Sequence, residues 1–247
     1  MPRIYLSPST QDWNPYVDGS GSEEYWMNLL TDTLEPYLYA NTISFVRNTP
    51  EMTAASSIAQ ANSLGGLDFY LALHSNASGE GQAGKNRGII VFYYPTSSDG
   101  KRAAELFAAQ LRMVYPLPAK VTTQATTTLG EVRRPKYPAN LIELGYHDNY
   151  DDARWIENNL DAAAQAIARG LTEYFGLPFI YPQLVRTGVV TTEGSALRLR
   201  SYPGIDGETV GSIPNGESVQ VYGSFQGWYS VGYDDQLGYA AQAYIAV

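Results

Sequence analysis

The sequence predicts an α/β domain, with a mixed, mostly parallel sheet flanked by helices, followed by a small all-β barrel. Three observations carry that expectation. Between residues 3 and 176, strand-like apolar runs alternate with stretches of helical periodicity. One run, Leu67 to Leu73, is almost entirely apolar, as a strand covered on both faces must be. Beyond Leu177-Pro178-Phe179-Ile180-Tyr181-Pro182 the helical spacing disappears, and short alternating runs separated by Gly, Pro and Asn turns take over. The expected division is a first domain over 1–178, a linker over 179–186 and a barrel over 187–247.

Arg3 to Leu6 reads as the first strand, followed by a polar loop through Gly21. Ser22 can cap a helix opened by Glu23 and Glu24, acidic residues favoured in a first turn, and Trp26, Leu30, Leu34 and Leu38 give it one apolar stripe. Ile43 to Val46 is a second strand. Thr49 and Pro50 then open a helix that Gly65-Gly66 closes. After the Leu67 strand come a strand over Arg87 to Tyr94 and a helix from Lys101 to Val114, stopped by Pro116 and Pro118. The Thr-rich Val121 to Gly130 reads as a loop bordering a cleft. Ala139 to Tyr146 is a buried strand, and Asp151-Asp152 open one long helix carrying Ile156, Leu160, Ile167, Leu171 and Phe175 to Gly176. In the tail, Ala196 to Arg200, Ser218 to Tyr222 and Trp228 to Val231 alternate as strands.

Composition excludes several functions. Without cysteine there is no disulfide framework and no thiolate ligand or nucleophile, so a transition metal would need His, carboxylate or amide donors. A net charge of −9 argues against duplex nucleic acid as a partner. No apolar run approaches the roughly 20 residues of a membrane span, and Met1 to Pro8 lacks the pattern of a secretory signal. The expectation is synthesis in the cytoplasm without a signal peptide, no membrane insertion, and another route out if the protein acts outside the cell.

The chemistry gathers at two strand ends. The chain has two histidines, His74 after Leu71-Ala72-Leu73 and His147 after the Glu143 strand, and each follows an apolar run toward the carboxyl edge of the sheet, where open α/β folds place their sites. Matching positions for two scarce imidazoles predict a shared metal site. Glu143 interrupts an apolar strand, and because an unpaired buried carboxylate is costly, its presence points to catalysis.

Glu24-Tyr25-Trp26-Met27-Asn28, His74-Ser75-Asn76-Ala77 and Glu143-Leu144-Gly145-Tyr146-His147-Asp148-Asn149, in that order, resemble the motifs of the zinc-dependent N-acetylmuramoyl-L-alanine amidases over roughly residues 3 to 176. Leu197 to Arg200, Gly227-Trp228-Tyr229-Ser230-Val231 and Gly238-Tyr239 resemble a bacterial SH3-type domain of the kind that holds enzymes on Gram-positive peptidoglycan. The resemblance implies Zn2+ held by Glu24, His74 and His147, with Glu143 as the proton-transferring group and Asn76 and Arg134 orienting substrate. Glu23 competes with Glu24, and the spacing to Asn28 selects the latter. The family's first zinc-binding His follows the first strand, where this chain has Ser7-Pro8-Ser9-Thr10, with Thr10 at the His position. His147 reads as its relocated replacement, with Gln11, Asp12 and Asp148 as the alternative ligands. The implied activity is hydrolysis of the amide between N-acetylmuramic acid and the L-alanine of the stem peptide, by an endolysin or autolysin. The rivals are a catalytically silent wall-binding protein and a zinc peptidase cutting within the stem peptide.

Overall fold

A computed structural model describes all 247 residues. They fall into two compact units, one of residues 3–34 and 45–174, the other of residues 1–2, 35–44 and 175–247.

In the first unit, strands β1 (Arg3–Pro8), β2 (Ser44–Arg47), β3 (Phe69–Asn76), β4 (Ile89–Tyr93), β5 (Val121–Ala125) and β6 (Ala139–Tyr146) form one sheet in the order β2-β1-β3-β6-β4-β5. β1, β3 and β6 are mutually parallel, and the β4–β5 pair runs antiparallel to β6, so the sheet is mixed. Its central strands β1, β3 and β6 carry the buried core, with Ile4, Leu6, Phe69, Leu71, Leu73, Ile142 and Leu144 fully buried. Helices α1 (Glu23–Ala40), α2 (Ala54–Ser63), α3 (Ser98–Arg112), α4 (Gly130–Arg133), α5 (Tyr150–Asn158) and α6 (Leu160–Phe175) complete the unit, the last turns of α1 belonging to the other one.

Several elements differ from the sequence expectation for local reasons. Val121–Ala125 is an edge strand rather than a loop, since β-branched Thr122 and Thr123 suit a half-exposed pleat. α2 starts four residues late because Thr53 and Ser56 form a reciprocal capping box that Thr49 cannot make. The long C-terminal helix is two, broken at Asn159, which leaves the helical region at φ −133° and ψ 26°. Ser22 caps α1 as expected, accepting from Tyr25 N at 3.1 Å.

The second unit is built on an antiparallel sheet of β7 (Arg186–Val190), β8 (Leu197–Arg200), β9 (Thr209–Ile213), β10 (Ser218–Phe225), β11 (Trp228–Tyr233), β12 (Gln236–Ala241) and β13 (Ile245–Ala246), ordered β13-β7-β10-β11-β12-β8-β9. Alternate residues Leu197, Leu199, Val219, Val221, Tyr229 and Val231 fill its core, the period-2 pattern of a sheet with one buried face. The segment expected as a free linker is tied down within this unit. Asn41 accepts from Ile180 N at 2.7 Å and donates to Ile180 O at 2.9 Å, and Ile180 is buried with Ala40 and Tyr239.

Candidate active site

The carboxyl ends of β3 and β6 are in register, with His74 paired to Glu143. Paired residues on adjacent strands share a face, so both side chains project to one side, while Ser75, next along β3, projects to the other. Two further carboxylates come from helix starts. Glu23, in the first turn of α1, faces His74 Nδ1 with Oε1 at 2.8 Å, and Glu131, in α4, faces Nε2 with Oε2 at 2.9 Å. An ionised carboxylate only accepts, so a ring held between two of them carries a proton on each nitrogen. The pKa directions agree. Burial presses His74 down, but the bonds to Glu131 and Glu23 carry it well above the usual imidazole range. Burial likewise opposes ionisation of Glu23 and Glu131, yet the His74 contact and neighbouring donors hold both below the usual carboxylate range.

Each carboxylate is anchored. Glu23 accepts from Gln11 Nε2 at 3.3 Å and Asn14 Nδ2 at 2.9 Å. Glu131 accepts from Ser7 Oγ at 2.6 Å and from the Tyr70 hydroxyl at 2.7 Å. Glu143 has no such support. It is enclosed, its Oε2 has no hydrogen-bond partner, and burial pushes its pKa up to about 7, with the His74 charge pulling it down and Glu23 and Glu131 pushing it up. A carboxyl poised near neutrality against a cavity has the property a general base or acid requires. That cavity, about 880 Å³, is lined by His74, Glu131, Glu143 and Glu24, by the β1–α1 loop from Ser9 to Trp13, and by Pro50 to Ala55.

The geometry corrects the expected ligand set. His147 turns to the opposite face of β3. Its Nδ1 lies 2.9 Å from Ser75 O and 3.1 Å from Ser75 Oγ, and its ring stacks on Tyr16 at 5.6 Å. It does not line the cavity, and the two histidines do not share a site. Glu24 lines the cavity but bonds Asn28 Nδ2 at 3.1 Å; the residue on His74 is its neighbour Glu23. Helical residues 23 and 24 point about 100° apart, so Glu23 meets His74 while Glu24, which the spacing to Asn28 selects, faces the cavity beside it. Asn76 and Arg134 do not border the cavity either. Arg134 is an exposed residue at the end of α4 whose carbonyl accepts from Asn62. Glu131 escaped the sequence reading altogether, although a carboxylate between Leu129 and Val132 was a signal of the same kind as Glu143.

The Glu23–His74 pair is a carboxylate and an imidazole of the kinds zinc takes, two donors where a catalytic zinc uses three. No three His, Asp or Glu side chains are arranged around one point.

A mixed α/β sheet carries an acid–imidazole cluster at the carboxyl edge of its central strands, and the second unit is built on an antiparallel sheet. Residues 17–173 match the family model of the N-acetylmuramoyl-L-alanine amidases, and the chain belongs to that family. Residues 195–246 match the bacterial SH3 domain. Among solved structures, the chain is similar to the CwlD amidase from Clostridioides difficile, solved in complex with the GerS lipoprotein, at 16% identity and TM-score 0.64, covering 71% of this chain and 99% of that one. It is similar to the amidase AmiC2 of Nostoc punctiforme at 17% identity and TM-score 0.61, covering 71% and 97%. The catalytic domain of the CD27L endolysin, which targets Clostridia difficile, aligns at 21% identity and TM-score 0.52, covering 70% and 98%. No curated protein sequence matches the chain. No helix is long and apolar enough to cross a membrane.

Proposed function

We propose that this chain hydrolyses the amide joining the lactyl group of N-acetylmuramic acid to the L-alanine of the stem peptide. The observation that carries the reading is Glu143, a half-buried residue whose enclosed Oε2 has no partner and whose pKa is raised to about 7, paired across the sheet with His74 at a cavity. Glu143 takes a proton from the attacking water and returns it to the leaving amine, so that hydroxyl ends on the lactyl carbon and hydrogen on the alanine nitrogen. Glu23 and His74 are the residues that would hold zinc, and bound zinc would supply Lewis acidity for the amide carbonyl and the water. The antiparallel module anchors the enzyme on Gram-positive peptidoglycan, and the functional division is 1–178 and 187–247. Cytoplasmic synthesis followed by release to the wall, in the endolysin or autolysin manner, completes the reading.

The test is incubation of the full chain with purified muropeptide. Mass spectrometry should find peptide with a free L-alanine amino terminus, and Glu143→Gln should produce none. Free amino termini at other stem residues would instead assign a peptidase.

A second reading, a catalytically silent wall-binding protein, is favoured by two observations: Thr10 stands where the resemblance requires an imidazole, and both nitrogens of His74 are already bonded. Metal analysis decides. About one zinc per chain after supplementation supports the enzyme, and none supports the binder.

A further inference from the structure

We infer that the wall of this cavity selects a substrate segment carrying a primary ammonium, the free side-chain amine of a diamino acid in the stem peptide, with Asn48 Oδ1 as its buried acceptor. Asn48 directly follows β2 and is 5% exposed. Its backbone N–H donates to Leu6 O at 3.1 Å, and its Nδ2 lies 3.0 Å from Pro8 O, 3.1 Å from Ser57 Oγ and 3.4 Å from Ser7 Oγ. A carbonyl only accepts, so the contact with Pro8 fixes which end of the amide is the nitrogen. The other end, Oδ1, is left without a donor, although Asn48 lines the cavity. A buried acceptor without a donor costs free energy, which a donor carried in by a ligand would recover. The buried unpartnered polar atoms on lining residues are Asn48 Oδ1 and Glu143 Oε2, and both are oxygens.

Charge acts in the same sense. Asp12, Glu24, Glu51, Glu131 and Glu143 border the cavity, and no Lys or Arg does. Glu131 is occupied by His74, Ser7 and Tyr70, whereas Asp12 and Glu51 are exposed and act on whatever enters. Trp13, 69% exposed on the same lining, adds an indole face of the kind that attracts cations. Such a wall repels a free carboxylate and draws in an ammonium, which brings three donors. The inference rests on the amidase reading above for the identity of the substrate, but the preference can be read as binding, without turnover.

The experiment compares two muropeptides that differ only at the diamino acid, one with its side-chain amine free and one with that amine acetylated. The full chain should show a KM about 10- to 100-fold lower for the free amine, the range for hydrogen bonds to a charged group, and calorimetry on Glu143→Gln should give the same ratio in Kd. Asn48→Ala should bring the two KM values within about threefold of each other. Equal KM values in the wild type, or a folded Asn48→Ala that keeps the full preference, would overturn the inference. If Asn48→Ala does not fold, the exposed pair Asp12→Asn/Glu51→Gln decides: a preference reduced at least about threefold supports the inference, and an unchanged one overturns it. Cleavage of both peptides with equal KM would leave the amidase reading standing and sink the preference. Calorimetric preference for the free amine with no L-alanine terminus released from either peptide would sink the amidase reading and leave the binding preference intact.

Discussion

Two histidines end two neighbouring apolar strands, and their surroundings could hardly differ more. His74 lies between two ionised carboxylates beside a third carboxyl, in a cluster open to a cavity. His147 lies against Ser75 and Tyr16, among neutral partners, away from that cavity. Both are almost fully buried, so burial alone does not mark the functional one. What separates them is the charge supplied by Glu23 and Glu131, which arrive from distant helix starts.

The largest effect that sharpens this contrast belongs to Glu143. Glu143→Gln should lower kcat by about 10²- to 10⁴-fold, the range for a proton-transferring group, while zinc content is unchanged. Turnover that survives would move the proton transfer elsewhere. In the wild type, the rate should climb with pH through about 7 as Glu143 ionises and becomes able to accept a proton.

The same residue makes a stability prediction. Its folded pKa of about 7 lies above the ordinary 4.5, so the protonated carboxyl stabilises the folded state fully below about 4.5, and that contribution is lost as pH rises through about 7. The difference corresponds to roughly 3 kcal/mol. In EDTA at pH 8, Glu143→Gln should therefore melt above the wild type, and the gap should close at pH 4. Glu23 and Glu131 act in the opposite direction, since lowered carboxylates stabilise above their unfolded pKa and lose that contribution as pH falls through the folded one. An acid limb common to wild type and Glu143→Gln is expected on that account.

His147→Ala tests the other side of the comparison. It should cost about 1–3 kcal/mol of stability, the effect of unpairing buried polar groups at Ser75, and leave zinc content and kcat within about threefold. Loss of zinc would return His147 to the metal. The smallest effect is expected at Glu24, where Glu24→Gln keeps the Asn28 contact and should change turnover by less than about threefold, against a loss of at least tenfold for Glu23→Gln.

Much of this was legible in the residues. The continuous apolar character of Leu67 to Leu73 and the lone carboxylate in Ala139 to Tyr146 gave the buried strands and Glu143, because both signals are local and a misplaced carboxylate is expensive. His74 was legible for the same reason. His147 was misread because a strand end indicates the edge of the sheet but not the face. β6 changes its register with β3 between Glu143 and Tyr146, across Gly145 at φ +140°, a conformation that few side chains tolerate. Asp152 fastens that turn by accepting from Tyr146 N at 3.1 Å and Gly88 N at 2.9 Å.

The sequence by itself determined the two-part architecture and the order of the central strands' apolar runs, and it singled out His74 and Glu143, since periodicity and the cost of burying charge act within a few residues. Only the tertiary structure decided which carboxylates meet His74. Residues 23, 74 and 131 are joined by no local pattern, and a rotation of about 100° per helical residue separates Glu23 from Glu24, a difference fixed by how α1 docks on the sheet.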